Sequence, residues 1–405
     1  MRNSLIESII ACVPKWSVRV LAMAVVCAGA EPAWSQTPFT AVGLGVPVSP
    51  VDARAAAMGG TGLGLLNGGS VSARNPADMG FFVRPVLGIT YSPESITVKA
   101  PGGGELSSGR SRLGVLRGAV PFDDWTLGVA FASELDQDWQ IEFSDTLTSS
   151  LGTFPFIERR TADGGVSSVN FTLTRRISRL RLGVEYGIVT GNLRQLFVRE
   201  FEPDTADVGN RISTSGGATS WSYGGSRIRL GAAADVSARL RVSADVSFQG
   251  DLTAERDSVD VLVDSQSFQM PAAFEAGASA RLTPRILVSG AAGWTGWSGT
   301  EGVSTEFVAS DVVWFGVGVE LTGTRLLGAN LPLRLGVRRT DLPFHAPGMA
   351  QPSETAITFG FGLRVGEERA KLDIALEFGS RGDLAASGVE ESFQRLSLSL
   401  ALFQL

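Results

Sequence analysis

Apolar and polar residues alternate one for one along most of the chain. In AKLDIALEFGSR, Leu372, Ile374, Leu376 and Phe378 are interleaved with Asp373, Ala375, Glu377 and Gly379. A period of two places each set on one face of a β-strand. The same texture appears in RLRLGVEYGI, where Leu180, Leu182, Val184 and Tyr186 oppose Arg181, Gly183 and Glu185. It returns in ARLRVSADVSF, SRIRLGAAADV, LPLRLGVRRT, ITFGFGLRV and QRLSLSLALF, the last with Leu396, Leu398, Leu400 and Leu402 on one face and Ser397, Ser399 and Ala401 on the other.

A soluble β-sandwich also alternates, so the solvent has to be read from other features. The apolar face is continuous from strand to strand, and the polar face is charged or glycine. The strands commonly run to ten residues or more, which suits a tilted crossing of a bilayer. Connections alternate between short ones, near residues 122, 178, 237, 284 and 367 with a somewhat longer one near 325, and long ones over 94–107, 136–164, 202–217, 254–270, 296–310, 341–353 and 380–390. This spacing predicts an all-β transmembrane β-barrel of about fourteen antiparallel strands, with short turns at one end and long loops at the other. Closure is the physical reason: in hydrocarbon every backbone N–H and C=O needs an internal partner, and a closed sheet provides them all.

The first residues read as a targeting segment. Lys15 and Arg19 precede the apolar run VLAMAVVCAGA, and AWSQ offers Ala33 and Ser35 as the small residues of a cleavage site before Gln36. A lipoprotein site at Cys27 fits less well. The expected organisation is a signal peptide over 1–35, a plug or hatch over 36–80 and the barrel over 81–405. Both cysteines, Cys12 and Cys27, fall in the segment to be removed, which excludes disulfides, thiol nucleophiles and cysteine metal sites from the mature chain. His345 is the one histidine, and no G-x-S-x-G elbow accompanies it. No enzyme activity, cofactor or metal site is expected. The net charge is −6 and the lysines are Lys15, Lys99 and Lys371 alone, so nucleic acid is not an expected partner.

A lumen of fourteen strands is too wide for its own side chains to fill, so it is plugged or it conducts water. The polar face supplies inward candidates of both signs: Arg181, Glu185, Arg334, Arg338, Asp373 and Glu377, joined by Arg227, Arg229, Asp235, Arg241, Asp245, Glu275, Glu320 and Arg364. A selectivity lining would show one sign of charge. Mixed signs point instead to an ion-paired ladder that holds wall and plug together.

The plug candidate is DARAAAMGGTGLGLLNGGSVSARNPADM, Asp52 to Met79. It has no Gly-Lys-Ser/Thr ending, and a third glycine of a dinucleotide fingerprint would fall on Asn67, so neither phosphate motif is met. Pro76 pushes Asn75 toward extended backbone. The segment resembles the N-terminal hatch of the long-chain fatty acid transporter (FadL) family of outer-membrane barrels. Met58, Gly59 and Gly60 match the upstream part of that hatch, and Asn75, Pro76 and Ala77 its Asn-Pro-Ala motif. LRLGVRRTDLPF, TAITFGFGLRV and the final strands are similar to the closing strands of the same family.

The resemblance implies residence in the cell outer membrane and uptake of hydrophobic compounds, long-chain fatty acids or similar, released sideways through the wall by hatch movement. Gly59, Gly60, Asn75, Pro76 and Ala77 would then be the gating residues. Apolar density in the connection after Asp136 offers capture residues in Trp139, Phe143, Leu151, Phe154 and Phe156, with Leu147 and Ile157 beside them. The expected partners are outer-membrane lipid, a hydrophobic small-molecule substrate and the barrel-assembly machinery during insertion. Two other readings use the same fold. One is a shuttle barrel of the type IX secretion kind that binds protein partners on its outer loops, and the other is a scaffold barrel.

Overall fold

The computed structural model describes residues 38–66, 70–99, 105–149, 152–201, 214–257, 265–300, 307–326, 329–365 and 369–403. The expected signal peptide, the turn near 367 and Leu151 lie outside them.

The alternating segments form a closed antiparallel wall of fourteen strands. In chain order these are β1 (Val86–Lys99), β2 (Glu105–Phe122), β3 (Trp125–Asp136), β4 (Gly152–Ile177), β5 (Leu180–Phe201), β6 (Ser215–Ser237) and β7 (Leu240–Gln249). The second half is β8 (Ala273–Thr283), β9 (Ile286–Thr295), β10 (Val312–Leu326), β11 (Ala329–Asp341), β12 (Ser353–Val365), β13 (Ala370–Asp383) and β14 (Val389–Phe403). Each pairs with its neighbour in sequence, and β14 closes on β1 from Val86↔Phe403 to Lys99↔Glu390.

The two faces of the wall differ as the alternation demands. Leu182, Val184, Tyr186 and Ile188 on β5, and Phe315 and Val317 on β10, point outward and are about half exposed, as are Phe359 on β12 and Leu376 on β13. The neighbouring Glu185, Glu320, Thr358 and Asp373 are buried inside. An apolar belt around a polar interior is the arrangement of a transmembrane β-barrel. Among the described residues no helix is long and apolar enough to cross a membrane.

Strands β4 and β5, of 26 and 22 residues, outrun the wall. Their outer halves pair with each other, and β4 also pairs with a strand at Trp139–Ser149. The connection expected as a loop after Asp136 is therefore largely a hairpin standing above the rim. Gly164, with φ +142°, marks where this hairpin leaves the wall; a Cβ there would overlap the Asn192 carbonyl.

Most of the described residues between Phe39 and Phe82 are buried inside the wall. Asp52 caps the short helix Ala53–Ala56: one carboxylate oxygen accepts from Ala55 N at 2.8 Å and the other from Val71 N at 2.7 Å. Asn75 caps the 3-10 helix Pro76–Phe81, accepting from Ala77 N at 2.7 Å, with Pro76 at its first position. Both caps fold the segment on itself before it meets the wall.

Candidate functional site

Contacts between the enclosed segment and the wall run around the barrel. Ala53 N donates to Ser399 Oγ on β14 at 2.7 Å, and Gly59 N to Thr358 Oγ1 on β12 at 3.1 Å. Thr61 shares a 2.5 Å hydroxyl bond with Ser289 on β9, and Leu66 N donates to Ser279 Oγ on β8 at 2.9 Å. The Asn75 amide donates to Ser243 Oγ at 2.7 Å and to the Ala244 carbonyl at 2.9 Å on β7, and Thr174 Oγ1 of β4 donates to Pro76 O at 2.6 Å. Glycine makes the approach possible. Gly59 and Gly60 have φ of +71° and +76°, and a Cβ on Gly59 would overlap the Val337 carbonyl of β11. Ala77 is wholly buried, and its N–H approaches so close to Gly183 of β5 that no side chain fits there.

Charge completes the seating. Arg54 makes a two-pronged pair with Glu320, and Arg334 joins Glu320 at 2.7 Å and Asp373 at 2.8 Å. Burial alone would lower the Arg54 pKa; Glu320 outweighs it and holds the guanidinium charged. Arg74 reaches Glu275 at 2.5 Å and lies 3.9 Å from the centre of the Trp314 ring. Arg338 pairs with Glu354 at 2.5 Å and Glu377 at 2.9 Å, and Arg181 with Asp235 at 2.9 Å. Glu185 lies 3.4 Å from Arg229. The six inward charges singled out in the sequence thus sit in ion pairs between adjacent or next-adjacent strands.

The hub of this network was not among the inward candidates. Glu94 on β1, fully buried, gathers Arg381 at 2.7 Å, Arg395 at 3.0 Å, Arg110 at 3.2 Å and Arg112 at 3.3 Å. It lies in a stretch assigned to a loop, although Glu94, Ile96 and Val98 keep the period of two and all face inward.

Above the enclosed segment lies a cavity of about 240 Å³. Among its lining residues are eight arginines and five carboxylates. Leu135, Val166, Val189, Trp297 and Val312 also line it, and these belong to the largest apolar cluster of the molecule. That cluster closes the long-loop end, bringing Leu44 together with Leu252, Phe268 and Phe344. The cavity lining is therefore mixed: apolar residues of that cluster and of Val46–Val51 beside arginines held in ion pairs, such as Arg227 with Glu134 at 2.8 Å.

One side of this cavity is a seam in the wall. Pairing of β2 with β3 runs from Phe122↔Trp125 to Val115↔Ala132 and ends there. Beyond that point β2 continues to Glu105 paired with β1, while β3 continues to Asp136 paired with β4 and with the enclosed residues Val46–Pro47. A bulge sits on each lip at the same height, at Gly114, skipped between Thr90 and Tyr91 of β1, and at Glu134, skipped between Ser167 and Val166 of β4. Bulges bend strands, and both of these fall beside the point where β2–β3 pairing ends. Side chains bridge the gap: Ser133 Oγ donates to Leu113 O at 2.8 Å, and Arg110 and Arg112 both reach Asp136, the latter at 2.9 Å. Gly114, Arg112, Glu134 and Leu135 line the cavity as well as the seam. The last paired outward residues before it are Leu116 and Phe131.

The capture candidates stand elsewhere. Register places Trp139, Phe143, Phe154 and Phe156 on one face of the hairpin above the rim. Trp139 packs against the apolar cluster, and Phe156 is buried edge-on to Phe201 with ring centres 5.7 Å apart. Phe154 is half-buried, and Phe143 is 37 % exposed. None of the four lines the cavity.

The fold is a fourteen-strand barrel with an apolar belt around a polar interior, and solved structures share it. The Ralstonia pickettii toluene transporter TbuX is 18 % identical, with a TM-score of 0.57 over 88 % of this chain and 99 % of its own. The Pseudomonas putida toluene transporter TodX is 16 % identical at 0.55, covering 88 % and 98 %. A Pseudomonas aeruginosa FadL homologue is 13 % identical at 0.55, covering 89 % and 99 %. At these identities the likeness establishes the fold, a FadL-like barrel of the outer membrane. Among curated proteins no sequence matches. The family model BamG matches residues 13–404, and the chain belongs to that family.

Proposed function

We propose that this barrel takes up hydrophobic compounds across the outer membrane, long-chain fatty acids or similar amphiphiles, and releases them sideways. The observation that carries the reading is the seam between β2 and β3, because residues of both lips also line the cavity. A compound entering from the loops meets the cluster around Leu135, Val166 and Trp297, and the arginines among the lining residues offer N–H donors to a polar head. An apolar tail leaving through the seam passes into lipid without crossing water, so it never loses its apolar surroundings. The solved barrels of like fold include two toluene transporters, which supports the substrate class.

In this reading residues 36–80 are a hatch that follows a signal peptide over 1–35. Gly59, Gly60, Asn75, Pro76 and Ala77 set its seating, and the charge ladder holds it shut between transport events. Trp139, Phe143, Phe154 and Phe156 of the hairpin give a first apolar landing. The reading is tested by mass spectrometry of lipids extracted from the purified protein, against an unrelated barrel from the same membranes. Enrichment of one hydrophobic class supports it; background lipids alone count against it.

A scaffold reading is favoured by one observation. The hairpin presents Ile141, Phe143, Leu147 and Phe197 to solvent, each 37–43 % exposed, above the rim. Such a face suits a protein partner as well as a small molecule. Cross-linking through a cysteine at position 143 in intact cells separates the two, since only the scaffold gives a discrete protein adduct.

A further inference from the structure

At the short-turn end, four turns place an arginine immediately before the next strand: Arg179, Arg239, Arg285 and Arg369. The four are structurally equivalent. The carbonyl of each accepts a backbone N–H from the strand beyond, from Asp235 to Arg179 at 3.0 Å and from Arg281 to Arg239, Thr322 to Arg285 and Phe403 to Arg369, each at 2.8 Å. This shared bond fixes them at one height around the rim, and all four are exposed. The fifth equivalent position is Asp124, whose carboxylate is bridged by Arg176 at 3.2 Å. Among the described residues of that end the exposed acids are Asp123 and Asp124 alone. Below the collar the outward residues are lipid-facing: Ile177 beside Arg179, Val236 beside Arg239 and Leu282 beside Arg285, each 46–59 % exposed. Arg175, on the same outward face, stacks over Trp125 at 5.1 Å.

We infer that this arginine collar binds the anionic phospholipid headgroups of the leaflet that meets the short-turn end. Two features select a lipid surface over a protein. The arginines are spread around the circumference, so a medium that surrounds the barrel reaches all of them, whereas a docked protein covers one side. Three of them, Arg179, Arg239 and Arg285, also stand directly above outward apolar residues, at the level where an acyl chain gives way to its phosphate. The guanidinium matches a phosphate with two parallel hydrogen bonds. The attraction of a basic group to an anionic surface acts over about a Debye length. The collar would fix the barrel's height in the bilayer, and with it the level of the seam.

The test uses the full protein folded into phosphatidylcholine vesicles containing an equal fraction of either brominated phosphatidylglycerol or brominated phosphatidylcholine. Tryptophan quenching is the readout, with Trp125 reporting on the collar. The anionic lipid should quench more strongly at low salt, with a preference of up to about fivefold for each headgroup engaged. Sodium chloride should erode the preference, and Arg179→Gln, Arg239→Gln, Arg285→Gln and Arg369→Gln together should abolish it. Equal quenching by the two lipids overturns the inference, as does a preference that is insensitive to salt in the unaltered protein or undiminished in the fourfold variant.

Discussion

Arg54 and Glu320 join the enclosed segment to the wall through two parallel hydrogen bonds, Nε to Oε2 at 2.9 Å and Nη2 to Oε1 at 3.0 Å, with 2 % and 4 % of their side chains exposed. Glu320→Ala strands a buried guanidinium, a change that costs about 3–5 kcal/mol. Arg54→Met together with Glu320→Leu removes both charges and should cost far less, because no buried charge is left alone. Thermal unfolding followed by the gel mobility of the folded barrel checks the order of the two variants.

Adjacent glycines should behave differently. Gly60 has φ +76°, but the nearest atom to an added Cβ is Arg338 Cδ at 3.8 Å, so Gly60→Ala costs only the left-handed backbone, about 1–2 kcal/mol. Gly59→Ala adds overlap with the Val337 carbonyl and a 2.8 Å contact with that of Val317, both backbone atoms of the wall. The second variant should lose several times more stability than the first, and protease should reach the enclosed segment in it.

Asp78 makes the seating of that segment pH-dependent. Burial raises its pKa to about 6, against the opposing pull of the Gly64 N–H, Arg241, Arg117 and Ser243. An acid whose pKa is raised on folding binds a proton more tightly in the folded state. Stability is therefore greatest below the unfolded pKa and falls as pH climbs through about 6. The segment should be about 1–3 kcal/mol better held at pH 4 than at pH 7.5 from this group. Asp78→Asn should flatten that dependence in hydrogen exchange of residues 53–66.

The sequence showed the wall but not the break in its β2–β3 pairing. Alternation in β5, β10 and β13 set their faces and so revealed both the apolar belt and the inward charges. The glycines and the Asn-Pro-Ala run marked the enclosed segment, because each serves a local need for positive φ, close approach or a cap. The seam left no comparable trace. Val115 and Ala132 lie on strands whose periodicity continues past the point where their pairing stops, and pairing is a property of two strands. The bulges at Gly114 and Glu134 each insert one residue, a change too small to stand out in a single strand. Glu94 is obscured for a similar reason: Pro93 and the serines around it resemble a turn, while the sheet accepts them because Ile96 and Val98 anchor the inner face. The hairpin after Asp136 reads as a loop because its strands stand above the rim, where the outward face is no longer continuously apolar and Asp145 and the serines interrupt the pattern.

Asp136 is the charge that ties β2 to β3 across the seam, through Arg110 and Arg112. Asp136→Asn weakens that tie while Glu94 still holds both arginines. Uptake of a hydrophobic reporter into cells should rise severalfold in this variant. Ion conductance in planar bilayers should stay at its starting level, because the enclosed segment still fills the lumen.

Sideways release through the seam is the central claim, and the absence of cysteine after residue 27 allows a clean test. Leu113→Cys and Ser133→Cys place two thiols on opposite lips, where Ser133 Oγ now meets the Leu113 carbonyl at 2.8 Å. A short bifunctional thiol reagent then ties the lips together, and uptake of a labelled long-chain fatty acid is compared before and after treatment. Tying the seam should abolish uptake in the double variant and leave either single variant, treated alike, unaffected. Undiminished uptake through a fully cross-linked seam would contradict the account.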